Sequence, residues 1–117
     1  MMEKASILHH VSFNQHKPMV SVLMESEFTK EIRIVFKENQ VMKEHQTPYP
    51  IVIQVFQGEI IFGVEGKAYH LKGGDMLCLE GGIPHDLKAL SDSIVRLTLS
   101  KPDQSGRVKN IAETSVQ

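Results

Sequence analysis

Short runs of apolar or β-branched residues, separated by turn residues, occupy almost the whole of this 117-residue chain. No segment keeps the helical period over three turns, whereas several alternate between two sides as strands do. The predicted strands cover residues 5–13, 19–25, 30–36, 41–47, 51–56, 59–64, 67–71, 75–80, 85–89 and 93–100. Ten short strands without helices are typical of a sandwich, a jelly roll or a barrel, and periodicity alone does not separate the three.

Glycine-containing turns divide these runs. Glu65 and Gly66 lie between two strands and predict a tight hairpin, because glycine adopts the positive φ that such a turn requires. The glycine pairs at residues 73–74 and 81–82 are further breaks between the predicted strands. The chain therefore has the length and punctuation of one β domain over residues 1–117, with strands between 5 and 100 and a polar tail at 101–117.

Charge and composition exclude several classes of partner. Thirteen basic and fourteen acidic residues are mixed along the chain, so no basic patch for nucleic acid or anionic lipid is predicted. No apolar stretch is long enough to span a membrane or to act as a secretion signal. The single cysteine, Cys78, excludes an intramolecular disulfide and predicts a buried, inert thiol among leucine and methionine. A cytoplasmic protein without nucleic-acid or membrane partners is expected.

Two segments narrow the choice of fold. Residues 39–58 read Asn-Gln-Val-Met-Lys-Glu-His-Gln-Thr-Pro-Tyr-Pro-Ile-Val-Ile-Gln-Val-Phe-Gln-Gly, and residues 74–89 read Gly-Asp-Met-Leu-Cys-Leu-Glu-Gly-Gly-Ile-Pro-His-Asp-Leu-Lys-Ala. Together they resemble the two signature motifs of the cupin superfamily, G-x5-H-x-H-x3-E-x6-G and G-x5-P-x-G-x2-H-x3-N. The resemblance implies an all-β double-stranded β-helix, the RmlC-like jelly-roll barrel, often paired as a homodimer.

The same resemblance implies where a metal would be bound. The family site uses two histidines and a glutamate from the first motif and one histidine from the second. His45 matches the first histidine and His85 the last, but Thr47 stands at the second histidine and Ile51 at the glutamate. Imidazole with carboxylate suits iron, manganese, nickel or zinc. With only two imidazoles left, the resemblance implies a degenerate site whose divalent metal is weakly held or absent.

A small organic molecule is the expected ligand of the barrel cavity. His45 and His85 are its candidate binding residues, and Thr47, Ile51, Ile53 and Tyr49 are its candidate lining residues. Tyr49 lies between two prolines in a stiff loop, which the motif match places at the mouth of the barrel.

Three classes of function follow from this reading. The first is a small-molecule binding protein that kept the cavity and lost the chemistry. The second is an enzyme, either a metal-dependent oxygenase, isomerase or decarboxylase, or one in which two imidazoles act as base and acid. The third is a structural dimer in which His45 and His85 are a vestige that hydrogen-bonds each other or water. The two missing ligands favour the first class over the second.

Overall fold

A computed structural model describes residues 2–101, and nine of the ten predicted runs form strands. The strands are β1 (Met19–Glu25), β2 (Thr29–Phe36), β3 (Val41–His45), β4 (Ile51–Gln57), β5 (Glu59–Val64), β6 (Lys67–Lys72), β7 (Met76–Leu79), β8 (His85–Ala89) and β9 (Ser93–Ser100). Within residues 2–101 no helix is long and apolar enough to cross a membrane. The predicted polar tail lies, from residue 102 onward, outside the described residues.

The strands form two antiparallel sheets whose order defines the fold. The first sheet has the order β1-β2-β9-β4-β7 and the second has the order β3-β8-β5-β6. From β2 to β5 and again from β7 to β9, each consecutive strand lies in the opposite sheet, which is the connectivity of a jelly roll. The predicted all-β double-stranded β-helix is confirmed.

The core is built from the inward-facing residues of both sheets, since alternate side chains of a strand point to opposite faces. Phe36 and Phe62, one from each sheet, are completely buried and are the largest side chains in it. The other buried members are Ile32, Ile34, Ile51, Ile53, Val55, Ile60, Leu71, Leu87, Ala89 and Val95. This single continuous cluster joins the two sheets face to face.

Positive backbone angles occur where the sequence indicated turns. Glu65 and Gly66 have φ of 51° and 76°, so both central residues of the β5–β6 hairpin are left-handed, as a type I′ turn requires. Asn39, which stands at the first glycine of the first cupin motif, has φ of 73°. Asparagine tolerates this region better than most residues, which explains why the motif survives the replacement.

The predicted strand at residues 5–13 is wrong. Residues 7–10 form a turn, and His10 has φ of 52°, which an extended strand cannot contain. The segment lies across the outer face of the first sheet, where the buried guanidinium of Arg33 donates hydrogen bonds to three of its carbonyls. The Nη1 atom is 2.9 Å from the oxygen of Ile7 and 2.7 Å from that of His9, and Nη2 is 3.2 Å from that of His10. Hydrogen bonds from the Arg33 side chain to the backbone of this segment therefore take the place of the backbone hydrogen bonds that a strand would form.

The predicted burial of Cys78 is also wrong. In β7 the partly buried side chains of Leu77 and Leu79 face the core, whereas Met76 and Cys78 point to the opposite, solvent-exposed face. The apolar character of this short strand hid the alternation, because all four of its side chains are hydrophobic.

Candidate functional site

Two histidines, a valine and, next to the valine, Lys67 lie side by side at one end of the second sheet. His45, the last residue of β3, is paired with His85, the first residue of β8, and His85 is paired on its other side with Val64. His85 is only 3% exposed, because the alternation of β8 turns it inward together with Leu87 and Ala89. His45 is partly buried. The strand register thus brings together the two histidines that the sequence motifs predicted.

The two imidazole rings are in contact. Their centroids are 4.5 Å apart and their planes are inclined by 59°. The ring of Phe62 also stacks against His85, with centroids 5.4 Å apart and planes 20° from parallel. Because Phe62 is fully buried in the core, it fixes the orientation of the His85 ring.

Both histidines use the same ring nitrogen to bond the backbone. The Nδ1 atom of His45 is 2.8 Å from the carbonyl oxygen of Lys43, and Nδ1 of His85 is 3.0 Å from that of Ile83, in each case two residues earlier in the chain. A carbonyl oxygen only accepts hydrogen bonds, so Nδ1 carries the hydrogen in both rings. In the neutral form each Nε2 atom therefore keeps its lone pair.

The first sheet carries an apolar row of three residues at the same end of the barrel, and next to this row Lys30 of β2 pairs with Leu99. Ile51, the first residue of β4, pairs with Leu79 on one side and with Leu99 on the other. Ile51 is buried, whereas Leu79 and Leu99 are only partly buried although they pack against the core. Partial exposure of inward-facing leucines indicates that this end of the barrel is less tightly covered than its middle.

The residues present do not fit the complete metal-ligand set of the cupin motif. His45 and His85 supply two nitrogen donors, but Ile51 has no donor atom and the Thr47 hydroxyl donates to the carbonyl oxygen of Tyr49 at 3.0 Å. Among residues 2–101 no group of three or more His, Cys, Asp or Glu side chains is arranged to hold a metal ion. A divalent ion at the pair would need the rest of its coordination from ligands other than the side chains of residues 2–101.

The four predicted lining residues lie in two different environments. Ile51 and Ile53 are each 2% exposed and belong to the core. Thr47 and Tyr49 line a cavity of about 230 Å³ together with Pro48, Leu99 and Ser100. A ligand-lining role for these four residues stays a prediction.

Two larger cavities, of about 620 Å³ and 400 Å³, lie near the β1–β2 hairpin and share Met24 and Glu31. Among these three cavities of the described part of the chain, none is lined by His45 or His85.

The loops of the two motifs are joined beside the histidines. The amide nitrogen of Gly82 donates to the carbonyl oxygen of Thr47 at 2.7 Å. At Gly81 the backbones approach so closely that a Cβ atom would lie 2.3 Å from the carbonyl oxygen of Pro48. Glycine is therefore required at residue 81 by space, and the contact holds the β3–β4 loop against the β7–β8 loop.

The variant Gly81→Ala is expected to lower the free energy of unfolding by about 1–3 kcal/mol, because backbone atoms must move to admit the methyl group. Chemical denaturation measures the loss. Gly73→Ala is the matched control, since its Cβ would meet its nearest atom, the carbonyl oxygen of Phe56, at an ordinary 3.5 Å. Equal stability of the two variants would contradict the close contact.

Phe62 and the two carbonyl acceptors were missed by the sequence reasoning. An inward position for Phe62 could have been found, because Ile60, Phe62 and Val64 occupy every second position of β5 and so share one face. Its contact with His85 could not, because that contact depends on the register between β5 and β8.

Comparison with known proteins identifies the family of the barrel. The sequence model of the cupin domain matches residues 32–100. An RmlC-like cupin from Desulfovibrio desulfuricans is 25% identical, with a TM-score of 0.79 over 86% of this chain and 97% of its own. The protein TT1209 from Thermus thermophilus is 20% identical, with a TM-score of 0.77 over 86% of this chain and 100% of its own.

KdgF from a Halomonas species is 22% identical, with a TM-score of 0.68 over 78% of this chain and 87% of its own. At identities of 20–22%, the likeness to TT1209 and KdgF concerns the fold alone. No curated protein sequence matches the chain.

Proposed function

Because the chain belongs to the cupin family, we propose that it binds a small organic ligand at the His45–His85 pair, between the imidazole row of one sheet and the apolar row of the other. The observation that carries the proposal is the pair of rings in contact whose Nδ1 atoms are both bonded to backbone carbonyls. These bonds fix the rings and leave one unshared nitrogen on each for a ligand. A binding site needs this kind of prior orientation.

The absence of a third ligand at the pair among residues 2–101 supports binding rather than metal-dependent catalysis. Ile51 stands at the carboxylate position of the motif and is 2% exposed, so no negative charge at that position offsets a divalent cation. The alternative is an enzyme that holds iron, manganese, nickel or zinc through the two imidazoles and completes its coordination with water or substrate. The Nε2 lone pairs favour this alternative, and metal content decides between the two.

The variant His45→Ala is expected to abolish ligand binding while changing the free energy of unfolding by less than about 1 kcal/mol, because the side chain is only partly buried. A fragment screen by ¹H–¹⁵N correlation spectroscopy measures binding in the parent and the variant. His70→Ala is the control, since His70 is an exposed histidine bonded to Glu59 on the outer face of the second sheet.

Metal content of untagged protein completes the test. Near-stoichiometric metal in the parent that disappears in the His45→Ala, His85→Ala double variant would replace the proposal with the metal-dependent alternative. Unfolding of His45→Ala would instead assign this residue a structural role.

The homodimer and the cytoplasmic location stay predictions. The exposed side chains of Met76 and Cys78 on the outer face of β7, with the exposed Phe56 of the adjacent β4, support a self-association surface on the first sheet.

A further inference from the structure

We infer that the His45–His85 pair is a double hydrogen-bond acceptor, which selects small molecules carrying two neighbouring hydroxyl or amine donors on an apolar body. This inference rests on the proposed function and adds the chemical class of the ligand. It depends on three features of the site: the fixed tautomers of the two rings, the lack of a nearby acid, and the apolar row opposite them.

The tautomers follow from the backbone contacts. Each Nδ1–H donates to a carbonyl two residues earlier, at 2.8 Å from His45 and 3.0 Å from His85. Reversing either tautomer would place a lone pair against a carbonyl oxygen and lose the hydrogen bond. Both Nε2 atoms are therefore acceptors in the neutral state, and a group that only accepts, such as a carboxylate or an ether, finds no hydrogen to bond on either Nε2 atom.

Among residues 2–101, no Asp or Glu completes a three-member cluster with the two histidines, and Asp86, which follows His85, is exposed on the outer face of β8. Neither ring is therefore clustered with a carboxylate of the described residues, and the Nε2 atoms are left to a ligand.

The row opposite sets the shape of the rest of the ligand. Leu79, Ile51 and Leu99 lie side by side on the inner face of the first sheet and offer only hydrocarbon, while Lys30 lies next to Leu99 at the end of the row. A molecule with donors on one edge and hydrocarbon on the other matches both rows, because its apolar face loses contact with water while its donors stay bonded. A vicinal diol on a small carbon ring has this pattern.

Nitrogen-15 NMR of the uniformly labelled full chain tests the tautomers directly. At about pH 8.5, above the ordinary titration range of imidazole, long-range ¹H–¹⁵N correlations distinguish protonated from unprotonated ring nitrogens. We expect His45 and His85 to carry hydrogen on Nδ1. His70, whose Nε2 lies 2.6 Å from a carboxylate oxygen of Glu59, should show the opposite tautomer and serves as an internal control. The variants His45→Gln, His85→Gln and His70→Gln assign the signals.

The same spectra test the ligand class with cis-cyclohexane-1,2-diol and its dimethyl ether as probes. The diol should shift both Nε2 signals on titration, and the ether should bind about tenfold more weakly or worse, because it has lost both donors. Hydrogen on Nε2 of His45 or His85 would overturn the inference, as would equal binding of the two probes or no binding of the diol. None of these results would contradict the proposed function, which fails only if the fragment screen finds no ligand at the pair.

Discussion

The double variant Thr47→His, Ile51→Glu is expected to bind a divalent metal that the parent protein does not retain. Without metal, the introduced carboxylate should lower the free energy of unfolding by roughly 3–5 kcal/mol, because it replaces a side chain that is only 2% exposed. With zinc or manganese at a hundred times the dissociation constant, about 2.7 kcal/mol should be regained. Thermal unfolding with and without metal, and metal content after gel filtration, measure the two effects.

The physical reason is the number of donors. The parent chain offers the Nε2 atoms of His45 and His85, and two further protein donors would complete the set that the cupin motif implies. The metal-bound carboxylate is also no longer an isolated buried charge, so stability in this variant should depend on metal much more steeply than in the parent.

The variant Thr47→His, Ile51→Gln is the matched control, since it keeps the added histidine and a side chain of similar length but introduces no charge. This control should be stabilised by metal less than the Thr47→His, Ile51→Glu variant. If the parent were stabilised by metal as strongly as the double variant, the two histidines alone would form a working metal site. If the double variant were not stabilised, the four positions would not converge on one ion.

The variant Arg33→Met is expected to lower the free energy of unfolding by about 3 kcal/mol. Arg33 is 6% exposed, and its guanidinium donates three hydrogen bonds to the segment that covers the outer face of the first sheet. Hydrogen bonds from a charged donor are among the stronger ones in proteins, and methionine keeps much of the bulk of the side chain while losing all of them. Urea denaturation measures the stability, and hydrogen exchange at residues 5–14 measures the attachment of the segment.

Lys88→Met is the control for removing a positive charge, because Lys88 is exposed on β8 in the second sheet; its effect should stay within about 0.5 kcal/mol. The expected signature of Arg33→Met is fast exchange of the amino-terminal segment with the barrel still folded. Unchanged exchange there would mean that apolar contacts, not the arginine, hold the segment in place.

The barrel could be predicted from the sequence because local signals agree with one another along most of it. In β4 and β8, buried and more exposed residues alternate, and the Glu65-Gly66 turn has the residue chemistry that its hairpin needs. Residues 5–13 could not be predicted, because their conformation depends on Arg33, more than twenty residues away. The alternation of β2 places Arg33 outward, but only the fold shows that this outward face is covered.

The site could be predicted as a pair of residues but not as a chemical environment. Motif spacing identified His45 and His85, and the register of β3 with β8 brings them together. The tautomers depend on where the carbonyls of Lys43 and Ile83 point, and the orientation of His85 depends on Phe62. These are properties of backbone direction and of cross-strand packing, which a linear pattern does not contain.

The amino-terminal segment covers the outer face of the first sheet, and this limits where the barrel can be cut out of the chain. The stretch that matches the cupin domain begins at Ile32, so it omits β1 and every carbonyl that receives a hydrogen bond from Arg33. Excised at that boundary, β2 would become an unprotected sheet edge, and a normally covered arginine would face water. A fragment that is moved into another protein should therefore be longer than the stretch that matches the family. The residues that make the family identifiable are not all the residues that close the barrel.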